Sequence, residues 1–200
     1  MIVYVETNFI LEMVFVQEQS QQAEEILKLG EAGEIEIRFP LFGLIEPFWT
    51  IEHRRSDRKK VYENLENEFK QLERSKNYKT IITAMRPLIE SLINTSQKED
   101  ALFEQTLEIV LKICRFIEIT EAIFKYALIY RDKYLLSFQD SLIYSSLIED
   151  MTQNKEIKKC FLSKNSKDFD SSDIKNELKQ YNCKYISNFQ DGLNYIKSKI

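Results

Sequence analysis

Short runs that are apolar on both sides alternate along the chain with longer stretches in which apolar residues recur every three or four positions. Ile2-Val3-Tyr4-Val5 is the first short run. It is rich in β-branched residues and has no polar alternate, which predicts a strand buried on both faces, as in a parallel sheet. Ile35-Glu36-Ile37-Arg38-Phe39, Arg115-Phe116-Ile117-Glu118-Ile119, Lys159-Cys160-Phe161-Leu162-Ser163 and Cys183-Lys184-Tyr185-Ile186 predict four more strands. Between them the period becomes helical. Phe9, Ile10, Met13 and Val14 share one helix face, with Asn8 placed to cap it. Ser20 is placed to cap a second helix carrying Ala23, Ile26, Leu27 and Leu29, which stops near Gly30 and Gly33.

Pro40 suits the first position of the next helix. Gly43 and Pro47 lie four apart and predict a kink, after which a charged amphipathic helix continues to about Arg74. Residues 77–95 and 98–115 predict two further helices, the first interrupted by Pro87 and the two linked by Ser96-Gln97-Lys98. Thr120 caps a helix to about Lys133. Ser137 caps another, with Asp140 at its third position, to about Met151. A polar loop follows the fourth strand, then a short helix, the fifth strand and a closing helix. Strands that alternate with helices imply a three-layer α/β/α fold. The expected architecture is one domain over 1–200, with a parallel sheet of about five short strands and an added helical elaboration around 55–115.

Composition narrows the function. A chain of 200 residues can bury a sizeable core, and its 44% hydrophobic and 30% charged residues are ordinary for a globular protein. The net charge of −4 excludes a globally basic nucleic-acid binder and leaves room for a local basic patch. His53 is the only histidine, which removes catalytic triads and histidine-based zinc sites. Cys114, Cys160 and Cys183 are odd in number and widely spaced; they read as buried thiols in a reducing cytoplasm. Glu6 breaks the first apolar run and no positive segment precedes it, so no secretory signal is expected. No run approaches the roughly 18 apolar residues that a membrane span requires.

The acidic residues at the edges of core segments stand out. Glu6 ends the first apolar run, Glu46 interrupts the apolar stretch from Phe39 to Ile45, and Asp140 precedes Ser141-Leu142-Ile143-Tyr144. Asp168 lies in the loop after Phe161-Leu162. Carboxylates are rarely buried unless paired or bound to a cation. In parallel α/β sheets, ligands bind beyond the carboxyl ends of the strands, and all four acids can converge on that rim. Each also has a plainer reading: Asp140 as a carboxylate favoured by a helix N-terminus, Glu46 as a solvated helix residue despite its apolar flanks, Glu6 as an exposed strand end, Asp168 as a loop acid.

The segments carrying these acids resemble the PIN-domain family of metal-dependent ribonucleases, which includes toxin-type members. Tyr4-Val5-Glu6-Thr7-Asn8-Phe9-Ile10-Leu11 resembles the family's opening Asp-Thr/Ser-Asn/Ser followed by an apolar helix. Leu44-Ile45-Glu46 resembles its helical glutamate, and Leu136-Ser137-Phe138-Gln139-Asp140-Ser141-Leu142-Ile143 its Leu-Ser-x-x-Asp-Ala-Leu-Ile segment. Phe161-Leu162-Ser163-Lys164-Asn165-Ser166-Lys167-Asp168-Phe169 resembles its Thr-x-Asp/Asn-x-x-Asp-Phe loop. The four segments occur in family order.

The resemblance implies that Glu6, Glu46, Asp140 and Asp168 hold Mg²⁺ or Mn²⁺ and that a metal-activated water hydrolyses RNA; it makes an antitoxin protein a candidate partner, while the extra helices around 55–115 leave open dimerisation with a second copy or RNA selection. Thr7, Asn8, Ser163 and Asn165 would support the site, although Thr7 and Ser163 also read as turn and cap hydroxyls. Hard oxygen donors suit those ions, and one or two of them can activate water and clamp a phosphate. Two departures matter. Glu6 stands where the family has aspartate, which adds a methylene, and Asn165 stands where aspartate is frequent, which removes a charge. The fourth acid is then Asp168, with Asp170 and Asp173 next in preference. The same departures support an alternative, a PIN-like RNA-binding or protein-interaction module with a degraded metal site. Arg54, Arg55, Arg58 and Lys59 could guide RNA, against the commoner reading of a solvated helix face. Phe48 and Trp49 are expected in the core, and Tyr62 could stack on a base.

Overall fold

The first apolar run forms β1 (Ile2–Val5), buried along its whole length. It is followed by α1 (Thr7–Val14), α2 (Ser20–Glu31) and β2 (Glu36–Pro40). A 3-10 turn over Leu41–Leu44 leads into α3 (Ile45–Leu72), then α4 (Lys79–Ile113), β3 (Arg115–Ile117) and α5 (Glu121–Tyr134). The chain closes with α6 (Phe138–Gln153), β4 (Lys159–Leu162), α7 (Ser166–Phe169), α8 (Ser172–Gln180), β5 (Cys183–Ile186) and α9 (Phe189–Lys197). The computed structural model describes all residues from 1 to 200.

All five strands are parallel, in the order β3-β2-β1-β4-β5. Central β1 has covered neighbours on both sides, which explains its lack of polar alternates. Ile2 and Tyr4 join Phe161, Tyr185 and the buried faces of α6 and α8 in one apolar cluster. On the other face, Ile37 and Leu162 press against Gly30 of α2 and Gly192 of α9. Helices therefore cover both faces, as a three-layer α/β/α fold requires. Buried charge in the sheet is hydrogen-bonded, by an opposite charge or by backbone carbonyls. Buried Arg38 bonds Glu36 at 2.8 Å and Asp150 at 2.5 Å, and the Tyr4 hydroxyl also donates to Asp150. Lys159 is fully buried and donates to the carbonyls of Ile157 and Tyr181.

The chain divides into two compact units, residues 1–47 with 106–200, and residues 48–105. The second is built from α3 and α4. It has a small apolar cluster of Phe69, Ile82 and Ile89, against which Tyr62 packs, and ion pairs that tie one helix to the other. Arg58 bonds both oxygens of Glu99, and Arg86 bonds Glu66 and Glu73.

Several local expectations are corrected. Residues 77–113 do not break at Ser96-Gln97-Lys98; α4 is one helix of 35 residues. Those three residues contain no helix breaker, and Ser96 turns its hydroxyl back to the Leu92 carbonyl while receiving Arg58. Pro40 ends β2 rather than starting a helix. The junction at Gly43 and Pro47 is resolved by the 3-10 turn, which leaves Pro47 in the first turn of α3, where a missing N–H costs nothing. Gln19, not Ser20, occupies the cap position of α2 and makes no side-chain cap bond. Phe48 and Trp49 are exposed, at 50% and 60%, rather than in the core; the Phe48 ring meets Phe103 edge-on.

Candidate metal centre

The geometry of the carboxyl-terminal rim starts with the residue that ends β1. Glu6 is not a loose strand end. It is the N-cap of α1: its Oε2 accepts the Asn8 N–H and its Oε1 accepts the Asn8 side-chain amide, both at 2.9 Å. The capping role expected of Asn8 thus belongs to Glu6, with Asn8 as its donor. Only 3% of Glu6 is exposed. Burial is the largest influence on its carboxyl and pushes it up to about 7, against the pull of the Asn8 bonds and a hydrogen bond from Ser163. The nearby charge of Glu46 raises it further.

Glu46 enters from the first turn of α3, half-buried, and its Oε2 accepts the Thr7 hydroxyl at 2.8 Å. The same hydroxyl also lies 3.1 Å from the Gly43 carbonyl. A side chain at Gly43 would crowd β2 rather than Thr7: a Cβ there would stand 2.8 Å from the Phe39 ring and 3.5 Å from the Thr7 hydroxyl. Asp140 sits in the first turn of α6. Ser137, the cap of that helix, receives its amide and donates to its Oδ2. The other Asp140 oxygen accepts the Asn165 side-chain amide at 2.9 Å. Burial raises the Asp140 carboxyl, opposed by the Ser137 bond, and the charges of Asp168 and Glu46 add to the rise.

The four acids therefore form a chain of neighbours that feel one another's charge: Glu6 with Glu46, Glu46 with Asp140, Asp140 with Asp168. Of the three candidates for the fourth acid, Asp168 is the one coupled to Asp140, whereas Asp170 is taken by Lys175. Asp173 lies in the first turn of α8. The supporting residues lie between the acids. Thr7 serves Glu46, Asn8 and Ser163 serve Glu6, and Asn165 serves Asp140.

As a set of donors, four carboxylates suit a hard divalent cation; the upward shifts at Glu6 and Asp140 come first from burial, with neighbouring carboxylates adding to them, and a cation would offset both. No three His, Cys, Asp or Glu side chains converge closely enough to make a ready-formed cation site. The hydrogen-bonded oxygens of Glu6, Glu46 and Asp140 each keep further lone-pair capacity, so the donors fit a cation in kind while their convergence is incomplete.

The basic run of α3 is largely committed within its own unit. Arg58 is held by Glu99, Arg55 lies 3.5 Å from Asp100 and Lys59 lies 3.9 Å from Glu63. Two buried acids lie outside the sequence candidates, Glu99, which holds Arg58, and Glu12. Glu12 is only 1% exposed and pairs with Lys164 at 2.9 Å. The signal was a carboxylate inside the apolar octad Thr7–Val14, which helical spacing alone reads as a polar gap.

The PIN domain family model matches residues 3–169. No curated protein matches the chain. Among solved structures, the chain is similar to the crystal structure of VapBC2 from Rickettsia felis bound to a DNA fragment from their promoter. The identity is 14%, with 93% of this chain and 98% of that chain covered, at a TM-score of 0.46. No helix is long and apolar enough to cross a membrane.

Proposed function

Because the chain belongs to the PIN domain family, whose members are generally nucleases, we propose that it is a metal-dependent ribonuclease acting at the Glu6, Glu46, Asp140 and Asp168 rim. The observation that carries this reading is the run of mutually repelling carboxylates at one rim, served by neutral donors from Thr7, Asn8, Ser163 and Asn165. Such charge is costly to assemble and is relieved by a divalent cation. Bound Mg²⁺ or Mn²⁺ would supply Lewis-acid activation of water and charge neutralisation at a scissile phosphate. The chain's own residues do the rest. Thr7, Asn8 and Asn165 fix the orientation of Glu46, Glu6 and Asp140, which limits the rotamer freedom that the longer Glu6 side chain introduces. Asp168 adds charge next to Asp140. RNA is the substrate in this reading, and an antitoxin-type protein would act by covering the rim. The three buried, unpaired cysteines suit a reducing compartment.

The test is cleavage of single-stranded and structured RNA with Mn²⁺ or Mg²⁺ by the wild type and by Asp140→Asn. Equal rates in the two proteins would remove this rim as the source of activity. A second reading, a PIN-fold binding module without catalysis, is favoured by one specific observation: Glu6 serves as a helix cap while no three acids form a ready-made cation site. Calorimetric titration with Mn²⁺ separates the readings, since carboxylate-dependent binding belongs to the first alone.

A further inference from the structure

The buried ion pair between α1 and the segment after β4 lies outside the four-acid rim. Glu12 is 1% exposed; its Oε2 meets Lys164 at 2.9 Å and its Oε1 accepts the Gln19 N–H at 2.6 Å. Lys164 is itself largely covered, with 29% of its side chain exposed. It stands between the two residues of that segment that reach the rim. Ser163, just before it, bonds Glu6 and accepts the Asn165 N–H at 3.0 Å. Asn165, just after it, donates to Asp140. The loop is thus clasped to α1 twice, at Glu6 by Ser163 and at Glu12 by Lys164.

A further feature marks this clasp as more than a surface pair. The turn after α1 places Val16, a β-branched residue, at a φ of 47°. That conformation is unfavourable for a non-glycine residue and persists only where surrounding contacts enforce it. Glu12 supplies two of those contacts: its carbonyl accepts the Gln17 N–H at 2.9 Å, and its carboxylate accepts the Gln19 N–H. An ion pair this buried offsets a large desolvation cost only with good geometry, and removing one partner leaves the other charge uncompensated.

We propose that the Glu12–Lys164 pair is a positioning device: it sets the loop after β4 so that Ser163 and Asn165 meet Glu6 and Asp140. It also commits the Lys164 ammonium to Glu12, away from the rim acids. The pair touches no reacting group and acts through its neighbours. Its consequence for cation binding rests on the functional reading above; its consequence for the loop does not.

The test uses the full chain with Glu12→Gln, Lys164→Met and the conservative Lys164→Arg. In metal-free protein, hydrogen exchange by NMR reads the amides of Asn165 and Phe169, which bond Ser163 Oγ and the Asn165 carbonyl. Glu12→Gln and Lys164→Met should each speed their exchange at least about tenfold, while the Lys175 amide in α8 stays unchanged and Lys164→Arg restores protection. Loss of thermal stability with loop protection unchanged relative to α8 would overturn the proposal. If Glu12→Gln fails to fold, Lys164→Met against Lys164→Arg gives the same comparison. Mn²⁺ calorimetry then reads the second step: affinity should fall by about tenfold in the variants that lose loop protection, as for partners that orient metal ligands. Unchanged affinity in a loosened loop would overturn the link to the rim. Absence of Mn²⁺ binding in the wild type would overturn the metal reading instead, with the exchange result deciding the loop's support separately.

Discussion

Glu6 and Glu177 are two shielded carboxylates in the same α/β unit, and their surroundings push them in opposite directions. Glu177 of α8 receives the hydroxyls of Tyr144 at 2.7 Å and Tyr134 at 2.8 Å, and the Lys133 ammonium at 3.1 Å. Burial works against its charge, yet these donors outweigh it and hold the carboxyl below its ordinary value. Glu6 has the Asn8 amide and side chain and Ser163, no cation among its chief influences, and Glu46 as a like charge. Its carboxyl rises to about 7. Burial is common to both; the balance of donors and neighbouring charge differs. A carboxylate surrounded by donors and a cation stabilises the fold, whereas one set beside other carboxylates is left waiting for an external charge.

The largest expected effect tests the rim as a working site. Asp140→Asn should lower Mn²⁺-dependent RNA cleavage by about 100-fold or more, the size expected when several kcal/mol of charge stabilisation is lost. Circular dichroism should show the fold retained, because asparagine keeps the Ser137 cap geometry.

The next test is the pH dependence of stability in metal-free protein, where the two carboxylates should slope in opposite senses. Glu6 has a folded value near 7, above its ordinary 4.5. Its contribution is fully present below about pH 4.5 and is lost as pH rises through 7, because the unfolded chain ionises first. Glu6→Gln should flatten that fall and leave the metal-free protein more stable at pH 8, by on the order of 1–3 kcal/mol in urea unfolding. A variant no more stable than wild type at pH 8 would break the contrast between the two sites.

Glu177 should behave in the opposite way. Its folded value is depressed, so its contribution is present above about pH 4.5 and is lost as pH falls through the depressed value. Glu177→Gln should cost about 2–3 kcal/mol at pH 7, since three hydrogen bonds to a charged acceptor are weakened together. The penalty should shrink at low pH.

The smallest effect concerns the turn that joins the two regions. Leu135 follows Tyr134 of the Glu177 cluster and precedes Ser137 and Asp140. It is 89% exposed and left-handed, with φ 54°. Leu135→Gly should stabilise the protein by about 1 kcal/mol or less, by relieving the side-chain clash of that conformation. Differential scanning calorimetry would register it as a small rise in Tm, with the slopes at Glu6 and Glu177 unchanged.

Much of the architecture is legible in the sequence. All five strands are legible as short runs rich in β-branched and aromatic residues, but only β1 is apolar at every position; β2 carries the paired Arg38 and β5 the exposed Lys184. Thr120 and Ser137 were read as caps, and both are, because cap chemistry is local. Ser96-Gln97-Lys98 reads as a polar link, yet it holds neither glycine nor proline, and the helix runs through it with Ser96 and Glu99 receiving Arg58. The sequence marks Glu6 as an unusually placed acid and points to Asn8 as the cap of α1. Asparagine is the favoured cap type and glutamate is not, so the cap at Glu6 follows only from the extended backbone at residue 6 and the bond from the Asn8 amide.

The sequence by itself determined the parallel α/β fold, the family, and the four acids worth examining, because periodicity, caps and short motifs are properties of neighbouring residues. The tertiary structure alone decided which acids are coupled, that Asp168 rather than Asp170 adjoins Asp140, and that Glu12 pairs with Lys164 across 152 positions. It also decided that Glu177 has a cation beside it while the chief neighbouring charge at Glu6 is the like charge of Glu46. Those outcomes depend on desolvation and on donors brought from distant elements. Both act through space with strengths set by ångström-scale distances, which no local pattern along the chain encodes.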